Sequence, residues 1–180
     1  MKPIFLSLFS VVLAGGVAFA QDKKEDAATD SVQVGDLKFS FSKPWSKEKP
    51  KSSMRAAQLK YDSEGDLADV EALFFKFGPQ SVQANLDRWK GQFQGEADSK
   101  SEEKTYGSTK VTFFQASGTY MESSGGPFSG TKTARENWVM LAAVIPMDGA
   151  VLFVKLVGPA ESMAALEKDY VKLVESPFKK

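Results

Sequence analysis

The chain has 180 residues, with 23 Lys and Arg against 23 Asp and Glu, and neither His nor Cys. Without those two residue types there is no Ser-His-Asp or Cys-His nucleophile system, no disulfide and no zinc site of the usual kind, so neither metal nor cofactor is expected. The balanced charge also argues against a nucleic-acid partner, whose phosphates are met by an excess of bases.

The start of the chain reads as an export signal. Lys2 supplies a positive start, Ile4 to Val17 is apolar, and Ala18-Phe19-Ala20 matches a small-x-small cleavage site. Cleavage after Ala20 and a periplasmic or extracellular location are therefore expected. The apolar run is shorter than the roughly 20 residues that span a bilayer, so no membrane span should remain after cleavage. Loss of Lys2 leaves 22 bases against 23 acids, a net charge of −1. Residues 21–31 are charged and lack large apolar side chains, which predicts a disordered tether. Residues 32–178 are predicted to form a single α+β domain, large enough to bury a core.

Val32 to Phe41 reads as two short strands turning at Gly35-Asp36, with Phe39 and Phe41 on one face. Lys43 to Arg55 has two prolines and several serines and reads as a loop. Its lysines and Arg55 surround Trp45, a pattern that suits an anion or glycan contact, or a Trp packed back on a sheet edge. Strands are predicted over Arg55–Tyr61 and Ala68–Phe77. The acids between them resemble a calcium loop, but Gly65 precedes Asp66 where an EF-hand needs it to follow, so a hairpin turn is the better reading.

Gly78-Pro79 ends that strand, and Ser81 can cap a helix running to about Phe93. Val82, Leu86, Trp89 and Phe93 recur at helical spacing and mark its buried face. After a polar connection over Gly95–Ser101, paired strands are predicted at Glu102–Tyr106 and Thr109–Met121. Ser123 to Asn137 reads as a long loop carrying Phe128, Lys132 and Arg135, an aromatic beside donors that suits a glycan or protein contact. Residues 125–133 nearly match a phosphate-binding P-loop. The match fails because Thr131 is inserted before the Lys and a strand, not a helix, follows.

Trp138 to Gly158 comprises two apolar runs folded back near Asp148-Gly149. Trp138, Met140 and Val144 point one way, and Val139, Leu141 and Ile145 the other. A strand apolar on both faces is covered on both, which predicts a central hairpin with a layer on each side. Pro159 opens a last helix to Ser176, with Met163, Leu166, Tyr170 and Leu173 on one face. There is one internal echo: Leu73 to Pro79 and Leu152 to Pro159 both read as strand, Gly-Pro, then helix. Lys76 and Lys155 sit inside the two apolar strands, either as a paired basic site or as stems on apolar surface with the ammonium reaching water.

The segments SSMRAAQLKY, FKFGPQSVQANLDRWKGQF and VKLVGP resemble a group of secreted bacterial proteins of no established function. That group carries an SMR-AQ strand, an FGP-type turn and an A-N-x-x-R-W-x-x-Q-F helix. Here these are Ser53, Met54, Arg55, Gln58, Gly78, Pro79, Asn85, Arg88, Trp89, Gln92 and Phe93, although the Gly-Pro loop is shorter than in the group. The order of elements also looks PsbP-like, an α/β/α sandwich, which implies an accessory or binding protein more than an enzyme.

The expected fold is α+β, an antiparallel sheet of about six to eight strands with two main helices. The expected function is an exported, non-catalytic binding or accessory protein of the bacterial envelope. Its partner would be an envelope protein or a glycan, and it would be a monomer. The candidate binding residues are Trp45, Arg55, Phe128, Lys132 and Arg135, with no catalytic residue and no metal ligand. The alternative is a hydrolase outside the cytoplasm using paired carboxylates or a Ser-Lys pair, which would need two convergent acids in a pocket, such as from Asp62, Glu64, Asp66 or Glu122. Intact-mass analysis of the exported protein should show Gln21 as its first residue. A mature species retaining Met1 to Ala20 would refute the export reading.

Overall fold

A computed structural model describes residues 29–124 and 130–179. The export segment and most of the expected tether lie outside the described residues, as does Phe128.

Nine strands and two helices follow in chain order. They are β1 (Asp30–Val34), β2 (Leu37–Phe41), β3 (Trp45–Glu48), β4 (Ala57–Tyr61), β5 (Val70–Phe77), α1 (Val82–Lys90), β6 (Asp98–Tyr106), β7 (Thr109–Ser124), β8 (Thr131–Met147), β9 (Ala150–Pro159) and α2 (Ala160–Glu175). β1 and β2 form a separate hairpin. The other seven strands form one antiparallel sheet in the order β3-β4-β5-β9-β8-β7-β6. β9 is therefore the middle strand, and the β8–β9 hairpin is central, as its two-sided apolarity predicts. Its turn is Asp148-Gly149, where Gly149 takes the positive φ (61°) that a tight reversal needs.

The two faces of the hairpin feed two separate cores. Leu141, Ala143, Ile145, Leu152, Val154 and Leu156 face α2 and the β1–β2 hairpin, and pack with Phe39, Phe74, Met163, Leu166 and Tyr170. Met140, Ala142, Val144, Val151 and Phe153 face α1, and pack with Leu86, Trp89, Phe93 and Phe114. The first core is closed by polar contacts at its rim. Tyr170 donates its hydroxyl to the Val154 carbonyl at 3.0 Å, and the Ser40 N–H donates to Ser176 Oγ at 2.9 Å.

α1 forms where Ser81 caps it, the Ala84 N–H donating to Ser81 Oγ at 3.3 Å. Leu86, Trp89 and Phe93 are all buried. Asn85 is buried as well. Its amide finds partners locally, donating to the Ser81 carbonyl at 2.8 Å and accepting from Arg88.

Four expectations about elements are corrected. The Lys43–Arg55 loop contains β3, an edge strand short enough to fit between Pro44 and Pro50. β6 begins at Asp98, so the polar connection before it is shorter. Ser123 to Asn137 is for the most part not a loop, because β7 continues to Ser124 and β8 starts at Thr131. The two strands extend past the sheet as an arm. Its residues are polar on both faces because both are solvated, and that removed the alternation by which a strand is recognised. β1 also begins at Asp30, inside the expected tether.

Trp89 is 3% exposed and packs against Phe114 and Phe153, the latter edge-on at 5.4 Å. Trp89→Ala should therefore cost about 3–5 kcal/mol. Lys90→Ala, on the exposed side of α1, should stay within about 0.5 kcal/mol. Equal denaturant midpoints for the two variants would contradict this packing.

Candidate functional site

α1 covers only part of its side of the sheet. Beyond it runs an open groove of about 490 Å³, floored by Leu73, Phe75, Val157 and Pro159 and walled by Tyr120, Trp138 and Lys155. A smaller hollow of about 170 Å³ adjoins it under α1, lined by Met54, Phe77, Arg88, Gln92 and Phe153, with Phe75 and Lys155 common to both. The larger cleft falls in the size range of small-ligand sites, and its lining mixes apolar floor residues with polar and charged ones at its edges.

Lys155 is the polar centre of this surface. Its position on β9 puts it on the α1 side, in line with Phe153 and opposite Leu73 of β5. Its Nζ donates to Gln92 Oε1 at 2.6 Å and lies 5.8 Å from the centre of the Tyr120 ring. Burial, and then the nearby Arg88, pushes its pKa down from 10.5 to about 8. Gln92 comes from the turn after α1. That turn is tied to β7 by the Met121 N–H donating to the Gln92 carbonyl and the Gln94 N–H donating to the Thr119 carbonyl, both 2.8 Å.

Two stacked rings with a cation beside each cross the wall. The Arg135 guanidinium lies 5.7 Å from the Trp138 ring, and Trp138 and Tyr120 are parallel with centres 6.0 Å apart. The Lys155 ammonium approaches Tyr120. A bulge creates this order. Gly118 pairs with Trp138 and Tyr120 with Arg135, so β8 spends one residue more than β7 between the two pairs. Asn137 absorbs the extra residue at φ 55°, a conformation Asn tolerates better than most. Because side chains alternate along a strand, the extra residue puts Arg135, not Glu136, on the face of Tyr120 and Trp138.

The carboxylates around the groove are engaged. Glu71 pairs with Lys51 and with Arg55, the latter at 3.5 Å. Asp69 pairs with Lys60 at 2.7 Å, and Glu122 with Arg135 at 2.7 Å. Lys60 also holds Asp62 at 2.8 Å, which accounts for the acidic turn after β4 as a hairpin connection.

The expected binding residues separate. Arg55 lines the groove, and Arg135 reaches it through Trp138 and Glu122. Lys132 lies farther out on the arm, exposed and opposite Ser123. Trp45 does not offer its ring to a ligand. It is 5% exposed on the opposite side of the sheet, packed edge-on against Tyr61 at 4.8 Å, so it is core. Lys76 and Lys155 do not form a paired site. Lys155 is opposite Leu73 and Lys76 opposite Leu152, which places them on opposite faces of the sheet. Tyr120, Trp138 and Gln92 were not among the expected binding residues, because neither the bulge that aligns Tyr120 with Trp138 nor the packing of the turn after α1 on β7 leaves a mark in hydrophobic periodicity.

Other hollows lie elsewhere on the surface. One of about 170 Å³ beside α2 has Phe113 and Leu141 within a rim of Lys100, Lys104, Glu102 and Glu167, charges of both signs that offset one another. Among the described residues, no group of acids is placed to hold a metal ion, and no helix is long and apolar enough to cross a membrane.

No family model and no curated protein matches the chain. Two solved structures are similar to it in fold. The solution structure of the cyanobacterial PsbP protein CyanoP, from Synechocystis sp. PCC 6803, aligns with a TM-score of 0.54 at 12% identity over 94% of this chain and 96% of that one. PA94 from Pseudomonas aeruginosa, a protein of unknown function, aligns with a TM-score of 0.52 at 10% identity over 84% of this chain and 97% of that one. The fold is PsbP-like, as the order of elements in the sequence implies.

The depressed pKa of Lys155 has a definite sign. Below about pH 8 the ammonium is charged in both folded and unfolded chains, and burying it costs stability in full. Between about 8 and 10.5 the unfolded chain binds more protons, so stability rises with pH and the cost fades. Lys155→Met should therefore raise stability by about 1–3 kcal/mol at about pH 7, and the gain should vanish by about pH 11. A variant less stable than the parent at neutral pH in denaturant titration would contradict the assignment.

Proposed function

We propose that the protein is an exported, non-catalytic binding or accessory module of the bacterial envelope, with the groove beside α1 as its binding surface. The observation that carries this reading is the groove itself, where partly exposed aromatic side chains surround a lysine with no acid beside it among the described residues. Aromatic anchors next to cations are the usual content of a recognition surface. The expected address rests on the apolar segment before Ala18-Phe19-Ala20.

The arrangement supports binding over hydrolysis. General acid-base work with carboxylates needs acids whose environments push their pKa values apart around a shared substrate position. Here Glu71, Asp69 and Glu122 are each held by a base, and Lys155 hydrogen-bonds an amide instead of a serine.

The test is cross-linked recovery of partners with the tagged protein from its own host. Trp138→Ala and Tyr120→Ala should each reduce recovery of whatever the parent retains by about five-fold or more, while Lys90→Ala leaves it unchanged. Melting curves for all three variants exclude misfolding as the cause. Equal recovery across folded variants would remove the groove from this role. Turnover of an ester or glycoside substrate that is lost in Lys155→Met would replace binding with catalysis.

A further inference from the structure

Resting on the reading of this groove as a binding surface, we infer its ligand class: a small organic monoanion with an apolar body, its acid head held by the Lys155 ammonium.

The first observation is an incomplete set of hydrogen bonds. An ammonium has three donors, and among the described residues the one hydrogen bond Lys155 makes goes to a neutral amide oxygen, Gln92 Oε1 at 2.6 Å. The Tyr120 ring at 5.8 Å offers a further weak attraction. Among the described residues Lys155 has no ion pair, and the other charge acting on it is a second cation, Arg88. The acids nearby are taken: Glu71 by Lys51 and Arg55, Asp69 by Lys60, and Glu122 by Arg135. A partly desolvated charge without a counter-ion is costly, and an incoming acid would supply that counter-ion.

The second observation is what lies on either side of the ammonium. Toward α1 are Phe75, Phe77 and Phe153, with Met54 at the mouth, 63% exposed. Toward the arm are Leu73, Val157 and Trp138. A head bound at Lys155 thus has apolar surface beside it toward α1, and toward the arm an apolar floor edged by the paired Glu71 and Glu122. This favours a carboxylate on an alkyl or aryl body over a bare inorganic anion, which would leave that surface wet. A phosphate dianion is a poorer match. Such groups are met by forked guanidinium contacts or a helix N-terminus, and α1 presents its C-terminal end to Lys155 through Gln92.

The experiment is calorimetric titration of the purified exported protein with decanoate, decanol and sulfate, repeated on Lys155→Met, Lys155→Arg and Arg88→Ala. Decanoate should bind, with decanol and sulfate each weaker by about ten-fold or more. Lys155→Met should weaken decanoate by about ten-fold or more, since it removes the one centrally placed charge. Lys155→Arg should restore most of the affinity, and Arg88→Ala should weaken it several-fold. Melting curves show which variants remain folded. Absence of decanoate binding, sulfate binding as tight as decanoate, or a folded Lys155→Met that binds within about three-fold of the parent would each overturn the inference. If decanoate fails while Trp138→Ala still loses the cross-linked partner, the binding role stands and only the ligand class falls. If both fail, the groove is not the binding surface.

Discussion

The structure depends on a hairpin that is apolar on both faces. Neither side of β8 and β9 can be left to water, so the chain must supply two covering layers. It does so unequally. α2, at 16 residues about 24 Å long, lies over one face together with the β1–β2 hairpin. α1, at nine residues, is about 14 Å long, against a central strand of ten residues that spans about 33 Å. One face is therefore largely covered and the other half-open. The groove is the part of the second face that the short helix does not reach.

That inequality gives the two related lysines different surroundings. Lys76 and Lys155 occupy equivalent places in two similar stretches, yet the antiparallel register sends them to opposite faces. Lys76 emerges exposed near the β1–β2 turn, with its Nζ close to Gly35. Lys155 emerges under the end of α1, where the turn that carries Gln92 holds it against Tyr120. The stem-on-surface reading describes Lys76 well. For Lys155 it is incomplete, because the ammonium stays within the wall of the groove and its basicity falls accordingly.

The arm shows how a local irregularity can determine a surface. One extra residue on β8 changes which side chains share a face. Regular pairing would set Glu136 beside Tyr120 and Trp138. The bulge sets Arg135 there, where it stacks on Trp138 and pairs with Glu122. The wall consequently has a cation beside each of its two stacked rings, and the nearby acid is consumed within the arm.

Much of this was legible in the amino-acid order, for a definite reason. Strand and helix periodicity, the Asp-Gly turn, the Ser81 cap and the two-sided apolarity of Trp138 to Gly158 are local properties, and together they sufficed for an α+β fold with a central hairpin and two helices. The segments around Met54-Arg55, Arg88 to Gln92 and Lys155 to Pro159 also stood out, and they meet at the groove. Their meeting was not legible, because sheet order brings β5 beside β9, and only that adjacency sets Phe75 and Lys155 in one surface. The same holds for Trp45. A Trp among lysines has one local appearance whether it is free or packed on Tyr61, and its burial is decided by β4 and α2. Local chemistry determined the elements and the candidate groups. Tertiary packing decided which face each group occupies and that one face stays partly uncovered, since burial and register depend on residues far away in the chain.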